Sequence, residues 1–132
     1  MINKGITLRV ARPTDNLSEI VDMYMRGLGF KVLAEFENHN GFDGVVLGHT
    51  NESYHIEFTH HHGVTAGKSP TDDNLLVFYI EDKSEWEASC TQAASAGFIR
   101  VSSYNPYWDM LGKTYQDKDG YRVVFQNSVW DV

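Results

Sequence analysis

The sequence predicts an α+β fold in which two βαβββ modules, residues 5–59 and 75–127, form one domain across residues 1–132. Three observations lead to this prediction. The apolar residues recur first with the period of a half-buried strand and then, beyond Pro13, with the spacing of an amphipathic helix. Three further strand-like runs follow, and the same order recurs in the second half. Two pairs of matching motifs, separated by the same distance to within one residue, indicate an internal duplication.

The first module begins with a strand at residues 6–11, whose side chains alternate between apolar and polar. A helix follows, with Thr14 or Asp15 as the expected N-cap and Gly27 or Gly29 as the expected stop. Segments rich in turn-forming residues then separate the remaining strands. These strands are expected at residues 31–37, 44–48 and 53–59.

The second module begins with a strand at residues 75–80 and continues with a helix from Asp82 to about Ala96. Asp82 and Glu85 have the spacing of a capping box, which favours a helix start at this point. Gly97 is the expected end of the helix, because glycine readily adopts the left-handed conformation of a helix terminus. The last three strands are expected near Phe98, Lys113 and Tyr121.

The composition excludes several classes of function. Hydrophobic residues make up 42% of the chain, as in a folded globular protein. The formal net charge of −7, without a cluster of Lys or Arg, disfavours nucleic acid and anionic membranes as partners. Cys90 is the only cysteine, so it forms no internal disulfide, and its place on the apolar side of the second helix predicts a small buried hydrophobe. Because no segment is typical of a membrane span or a secretory signal, we expect a cytoplasmic protein.

Strand alternation predicts which side chains face the helices and which face away from them. In the last strand of the first module, Ile56 and Phe58 are expected to pack on the helix, whereas His55 and Glu57 face the opposite side. The same rule places Ile6, Leu8 and Val10 on the helix side, and Arg9, Tyr79, Arg122, Val124 and Gln126 on the opposite side.

Several motifs resemble a known superfamily. The LGF after the first helix, the HIEF that closes the first half and the DKDGYRVVF that closes the second are similar to the vicinal oxygen chelate superfamily of glyoxalases, bleomycin-resistance proteins and extradiol dioxygenases. The segments RVARPTD, HNGFDG, YHIEFT, LLVFY and NPYW resemble its YycE-like branch. The resemblance covers the chain from about Ile6 to Gln126.

This resemblance implies that the two modules pack edge to edge into an open cup of eight strands. In the enzymes of the superfamily, His or Glu side chains from the first and last strand of each module hold a divalent metal inside the cup. Counting from the motifs, the four corresponding positions are Gly5, Glu57, Leu75 and Val124. Only Glu57 can coordinate a metal, so the resemblance implies a protein without the usual metal site, with a divalent metal as the alternative.

The residues that face the cup have alternative interpretations. Glu57 forms either a structural ion pair with Arg9 or a ligand-binding, acid–base or metal site, and it is the best catalytic candidate. His55 is either a satisfied wall residue or a catalytic base. Arg122 either clamps an anionic substrate such as a carboxylate or phosphonate, or makes a second pair with Glu57.

Two loop segments complete the set of candidates. Tyr107 and Trp108 lie on a predicted loop, where they either stack on a ligand at the mouth of the cup or plug it. The histidines at positions 60–62 follow the predicted end of a strand, and we expect them at an exposed rim rather than in a metal site.

Three functions remain. The first is a small molecule binder that resembles the bleomycin-resistance proteins, takes an anionic or aromatic ligand and needs no metal. The second is a metal-dependent enzyme of the lyase, isomerase or dioxygenase type that uses Glu57, and the third is an interaction domain whose cup is filled by its own side chains. The resemblance also implies a homodimer, because relatives commonly pair, sometimes with cups shared between subunits.

Overall fold

A computed structural model describes residues 1–130 of the chain. It contains eight strands and three helices, and none of the helices in these residues is long and apolar enough to cross a membrane. In chain order the elements are β1 (Leu8–Pro13), α1 (Leu17–Leu28), β2 (Lys31–His39), β3 (Phe42–Gly48), β4 (Tyr54–His61), β5 (Leu75–Tyr79), α2 (Lys83–Ser95), β6 (Ile99–Val101), α3 (Tyr107–Met110), β7 (Gly112–Gln116) and β8 (Arg122–Gln126).

The strands form two four-stranded mixed sheets of the same topology. Sheet A has the order β1-β4-β3-β2 and sheet B has the order β5-β8-β7-β6. In each sheet the first strand pairs in parallel with the last strand of its module, and the other pairs are antiparallel. The predicted α+β fold with two βαβββ modules is therefore confirmed. Between residues 1 and 130 no backbone ladder joins sheet A to sheet B.

The helix ends follow the sequence signals with one change. The Asp82 side chain accepts a hydrogen bond from the Glu85 N–H at 2.8 Å, and Gly29 ends α1 with a φ of 75°, as predicted. The N-cap of α1 is Asn16 rather than Thr14 or Asp15. Both predicted residues make other hydrogen bonds. The Thr14 hydroxyl donates to Asp119. Asp15 accepts hydrogen bonds from two backbone N–H groups of the linker between the modules, which lower the pKa of its carboxyl.

The first strand differs from its prediction. It begins at Leu8, and Ile6 precedes it, so these two side chains are 61% and 49% exposed instead of packed on the helix. Val10 does pack against the core. The next position on that side is Arg12, which is buried and lies 4.2 Å from the centre of the Tyr121 ring. The core side of β1 thus carries the apolar contact of Val10 and, near the end of the strand, the cation–π contact of Arg12.

One hydrophobic core is shared by both modules. Tyr24 of α1 is fully buried, and its ring lies 4.9 Å from Phe58 of the first module and 5.2 Å from Phe98 of the second. The helices α1 and α2 approach each other at Gly27, whose missing side chain leaves room for the Phe98 ring. Cys90 is buried in this core, which confirms its predicted role as a small hydrophobe.

A buried hydrogen-bond network also joins the modules. The Tyr24 hydroxyl donates to Asp117 at 2.7 Å, and the Thr14 hydroxyl donates to Asp119 at 2.6 Å. Asp117 and Asp119 belong to the turn between β7 and β8, whereas Tyr24 and Thr14 belong to the first module. Burial raises the pKa of Asp117, although its hydrogen bonds with Tyr24 and with backbone N–H groups oppose that rise. This polar network, the junction network, fixes the β7–β8 turn against the first helix.

Candidate functional site

The candidate site residues lie on the faces of the two sheets that are turned away from the shared core. These are the faces that the sequence predicted to line the cup, and they are called the outer faces below. On sheet A the outer face carries Arg9, His55 and Glu57, because Ile56 and Phe58 between them are buried on the core side. On sheet B the outer face carries Arg122, Val124 and Gln126, alternating with Val123 and Phe125 of the core. Strand alternation therefore correctly separated the two sides of β4 and β8.

Three polar side chains form a cluster on the outer face of sheet A. The Arg9 Nε donates to His55 Nδ1 at 3.2 Å, and the Arg9 Nη1 lies 3.6 Å from Glu57 Oε2. The Glu57 side chain is 16% exposed and that of Arg9 is 47% exposed, so the ion pair lies at the edge of solvent. The cluster pairs a carboxylate with a cation and an imidazole, an arrangement that binds a polar ligand or holds the strands together.

The outer face of sheet B has a regular arrangement. Strand register places Gln116 beside Arg122, Thr114 beside Val124 and Gly112 beside Gln126. Gly112 provides space here, because a side chain at that position would lie 2.6 Å from Gln126 Oε1. A cation, an apolar centre and a neutral amide thus follow one another along β8. Thr114, Gln126 and Gly112 were not among the site residues that we predicted.

Arg122 is the only cation of this arrangement within residues 1–130. Its side chain is 10% exposed, and its Nε donates to Gln116 Oε1 at 3.0 Å. Its Nη1 lies 3.4 Å from the Ser102 carbonyl, and its Nη2 lies 3.6 Å from Asp72 in the linker between the modules. Of the two pairings considered for Arg122, the one with Glu57 is not formed, and the carboxylate beside Arg122 is the exposed one of Asp72. Asp72 carried no sequence signal beyond its place in a polar loop.

A covering segment, residues 102–111, lies over the outer face of sheet B. It contains α3, which the sequence did not predict because a four-residue helix has almost no periodic pattern. The Trp108 carbonyl lies on the same side of Gly112 as Gln126, which places α3 over this face. Leu111 then accepts a backbone hydrogen bond from Asn127. Tyr107 is 56% exposed and contacts the half-buried Trp108 edge to face at 4.9 Å.

Several buried polar atoms within the covering segment or on the face of sheet B have no hydrogen-bond partner. Thr114 Oγ1, Gln126 Oε1 and Ser103 Oγ are buried without a hydrogen bond. Thr114 is fully buried and Gln126 is 3% exposed. Because buried polar groups are nearly always hydrogen-bonded in folded proteins, this group distinguishes sheet B from an ordinary packed face.

Tyr79 belongs to the outer face of sheet B, where strand register places it beside Gln126, and the three histidines lie at the end of β4. Tyr79 is 40% exposed, and its ring lies 5.9 Å from that of Trp130. The histidines do not follow the strand end, because β4 continues to His61. His60 is partly buried with Nδ1 3.1 Å from the Thr14 carbonyl, His61 stacks on Phe42, and His62 Nε2 lies 2.9 Å from Asp43.

The donor set does not fit the divalent metal of the superfamily's enzymes. Gly5 precedes β1 with a φ of 82°, and Val124 is fully buried. Leu75 offers no donor atom, and Glu57 lies beside the cation of Arg9. In the part of the chain that the structure describes, no group of three or more His, Cys, Asp or Glu side chains is placed to hold a metal ion.

Comparison with known proteins supports the resemblance. Residues 8–59 match the YycE-like N-terminal domain family, and residues 73–127 match the YycE-like C-terminal domain family. The chain is 44% identical over 121 residues to the uncharacterized protein YycE of Bacillus subtilis strain 168, an alignment that covers 92% of this chain and 87% of the relative.

Two of the solved structures that are similar to this fold differ widely in sequence identity to the chain. A YycE protein of unknown function from Bacillus subtilis superposes with a TM-score of 0.89 at 41% identity, covering 97% of this chain and 93% of that chain. The trypanothione-dependent glyoxalase I of Leishmania major superposes with a TM-score of 0.70 at 20% identity, covering 92% of this chain and 86% of that chain. At this identity the second similarity supports the fold alone.

Proposed function

Because this chain belongs to the YycE-like family of the vicinal oxygen chelate superfamily, we propose that it binds a small anionic molecule without a divalent metal. The fold is glyoxalase-like, but three of the four positions at which the resemblance to the superfamily's enzymes places metal ligands are Gly5, Leu75 and Val124 here. The protein then resembles the bleomycin-resistance proteins, which capture a ligand without turning it over.

The environment of Arg122 is the observation that carries this proposal. Its guanidinium is nearly buried on a face whose other strand residues are neutral, and its one carboxylate neighbour within residues 1–130 is an exposed loop residue at 3.6 Å. A buried charge is costly unless it is closely paired, and a guanidinium pairs best with a bidentate carboxylate or phosphonate. Arg122 is therefore the proposed anchor for an anion.

Binding tests this proposal directly. Benzoate and phenylphosphonate are suitable probes, because each joins an anion to an apolar ring. At ten times its dissociation constant a probe raises the free energy of unfolding by about 1.4 kcal/mol, which a thermal-shift assay detects. We expect this shift for the wild type and its loss for Arg122→Gln. Arg100→Gln, which removes an exposed cation of sheet B, is the matched control and keeps the shift.

The alternative is a metal-dependent enzyme that uses Glu57, and metal analysis separates it from the proposal. The untagged protein, prepared without a nickel column, is expected to contain much less than one divalent ion per chain. One stoichiometric ion that is lost in Glu57→Gln would refute the metal-free proposal. If neither probe nor metal stabilises the protein, an interaction domain becomes the better interpretation.

We also propose that two copies of the chain pair as a homodimer. The outer strands β1 and β5 each have an unpaired edge, and unpaired edges favour association with another chain. Ile6 and Leu8 expose apolar side chains next to the β1 edge, and Tyr79 and Trp130 do so next to β5. Sedimentation at micromolar concentration is expected to give the mass of two chains, and a clean monomer would refute this pairing.

A further inference from the structure

Sheet B has features that suggest a site larger than a single anion anchor. Arg122 provides the cation, Val124 provides an apolar floor, and Thr114 beside it provides a hydroxyl that has no partner although it is fully buried. Thr114 lies beside Val124, which is two residues along β8 from Arg122. Two residues of a strand span about 7 Å, so the free hydroxyl lies roughly 7 Å along the sheet from Arg122.

An unpaired hydroxyl in this position is costly for the protein by itself. A buried polar group without a partner loses the hydrogen bonds that it makes to water in the unfolded chain. Thr114 shares this condition with Gln126 on the same face of sheet B and with Ser103 of the covering segment. Three such atoms together suggest polar groups that are kept for a molecule which enters from outside.

Two contacts of Arg122 hold the polypeptide chain at this end of sheet B. The guanidinium contacts the Ser102 carbonyl at the start of the covering segment and the Asp72 carboxylate in the linker. The Asp72 side chain is 65% exposed, so it can leave without breaking the core. Its carboxylate stands where the proposed function places the anion of a ligand.

We propose that the outer face of sheet B is a closed site for an anion that carries a second hydrogen-bonding group, and that Asp72 and the covering segment close it. This inference rests on the proposed function. The anion displaces Asp72 from Arg122, the apolar body of the ligand crosses Val124, and its polar end meets the Thr114 hydroxyl. The ligand class is a hydroxyl-bearing or amide-bearing carboxylate or phosphonate with an apolar body.

Titration calorimetry with benzoate and 4-hydroxybenzoate tests the pairing with Thr114. The two probes differ by the one hydroxyl that this side chain is proposed to bind. The wild type is expected to bind 4-hydroxybenzoate at least fivefold more tightly than benzoate, and Thr114→Val to bind both equally. Because Thr114→Val replaces an unpaired buried hydroxyl with a methyl group, its melting temperature is expected to equal or exceed that of the wild type. A Thr114→Val variant that melts higher but still prefers the hydroxylated probe would overturn this pairing. A buried water would then be the partner of the Thr114 hydroxyl.

The gate is tested with Asp72→Asn and its neighbour Asp73→Asn as the matched control. Asp72→Asn is expected to bind both probes about fivefold more tightly, because the ligand no longer has to break an ion pair whose carboxylate partner is exposed. Asp73→Asn should bind as the wild type does. Hydrogen exchange of residues 102–111 without ligand is expected to become faster in Arg122→Gln than in Arg100→Gln, because the contact to Ser102 is lost.

The outcomes separate this inference from the proposed function. Absence of any Arg122-dependent binding would refute both. Arg122-dependent binding of benzoate with unchanged affinities in Asp72→Asn and Thr114→Val would refute the closed site and leave the anion anchor intact. Unchanged exchange of residues 102–111 in Arg122→Gln would refute the role of the covering segment.

Discussion

The Asp119→Ala variant is expected to lose about 2 kcal/mol of folding free energy, which lowers the melting temperature of a chain of this size by roughly 6–10 °C. Asp119 is 3% exposed and accepts hydrogen bonds from the Thr14 hydroxyl at 2.6 Å and from the Asn16 amide at 2.9 Å. Thr14 is itself 1% exposed, so its hydroxyl remains buried and loses its acceptor when the carboxylate is removed. Thermal and urea unfolding followed by circular dichroism measure the loss.

Lys118→Ala is the matched control for this variant, because it changes the preceding residue of the same turn. Lys118 is exposed and pairs with Glu19 on the surface, a contact that contributes little to stability. Its variant is expected to unfold within about 0.5 kcal/mol of the wild type. Equal stability of Asp119→Ala and Lys118→Ala would show that the junction network contributes nothing beyond an exposed turn.

The second large effect is expected at the approach of the two helices. A side chain at Gly27 would place its first carbon 2.8 Å from the Phe98 ring and 3.1 Å from the Ala96 side chain. Gly27→Val must therefore push α1 away from α2, and overpacking of this kind costs about 2–3 kcal/mol. The cost outweighs the small gain in helix propensity that follows when glycine is replaced inside a helix. Equilibrium unfolding in urea measures the difference.

Ala94→Val on α2 provides the comparison, since Ala94 is exposed and the branched side chain meets solvent there. It tests the cost of a β-branched residue in a helix, which is below about 1 kcal/mol. If Gly27→Val is as stable as Ala94→Val, the helices are not in the close contact described here.

The local signals in the sequence were sufficient for most of the fold. The change of apolar period gave the order of strands and helices, and Asp82 and Gly29 gave helix ends, because each depends on neighbours within one turn. The start of β1 was wrong because the apolar alternation begins at Ile6, although the side chains of Ile6 and Leu8 are exposed. The core position of Arg12 was missed because its aromatic partner Tyr121 lies in the other module. Alternation counts an arginine as outward, and no local pattern reveals a partner so distant in sequence.

The same distinction applies to the candidate site. Alternation placed Arg9 and Glu57 on one face, because parallel pairing of β1 and β4 follows from the module itself. It also placed Arg122 on the outer face of its own sheet. The position of Asp72 was not predictable, because a loop side chain takes its place only when the linker packs on the finished β7–β8 turn.

The junction network has a consequence for how the duplicated halves are related. The first half recognises the second through a tyrosine, a threonine and an amide that dock on one acidic turn, while Gly27 admits an aromatic ring of the other half. These contacts have the buried polar centre and close fit of an interface between separate proteins. The two halves therefore pack against each other as the two different subunits of a heterodimer do, although one peptide chain contains both. The outer face of each half can change in sequence while the contacts between the halves are preserved.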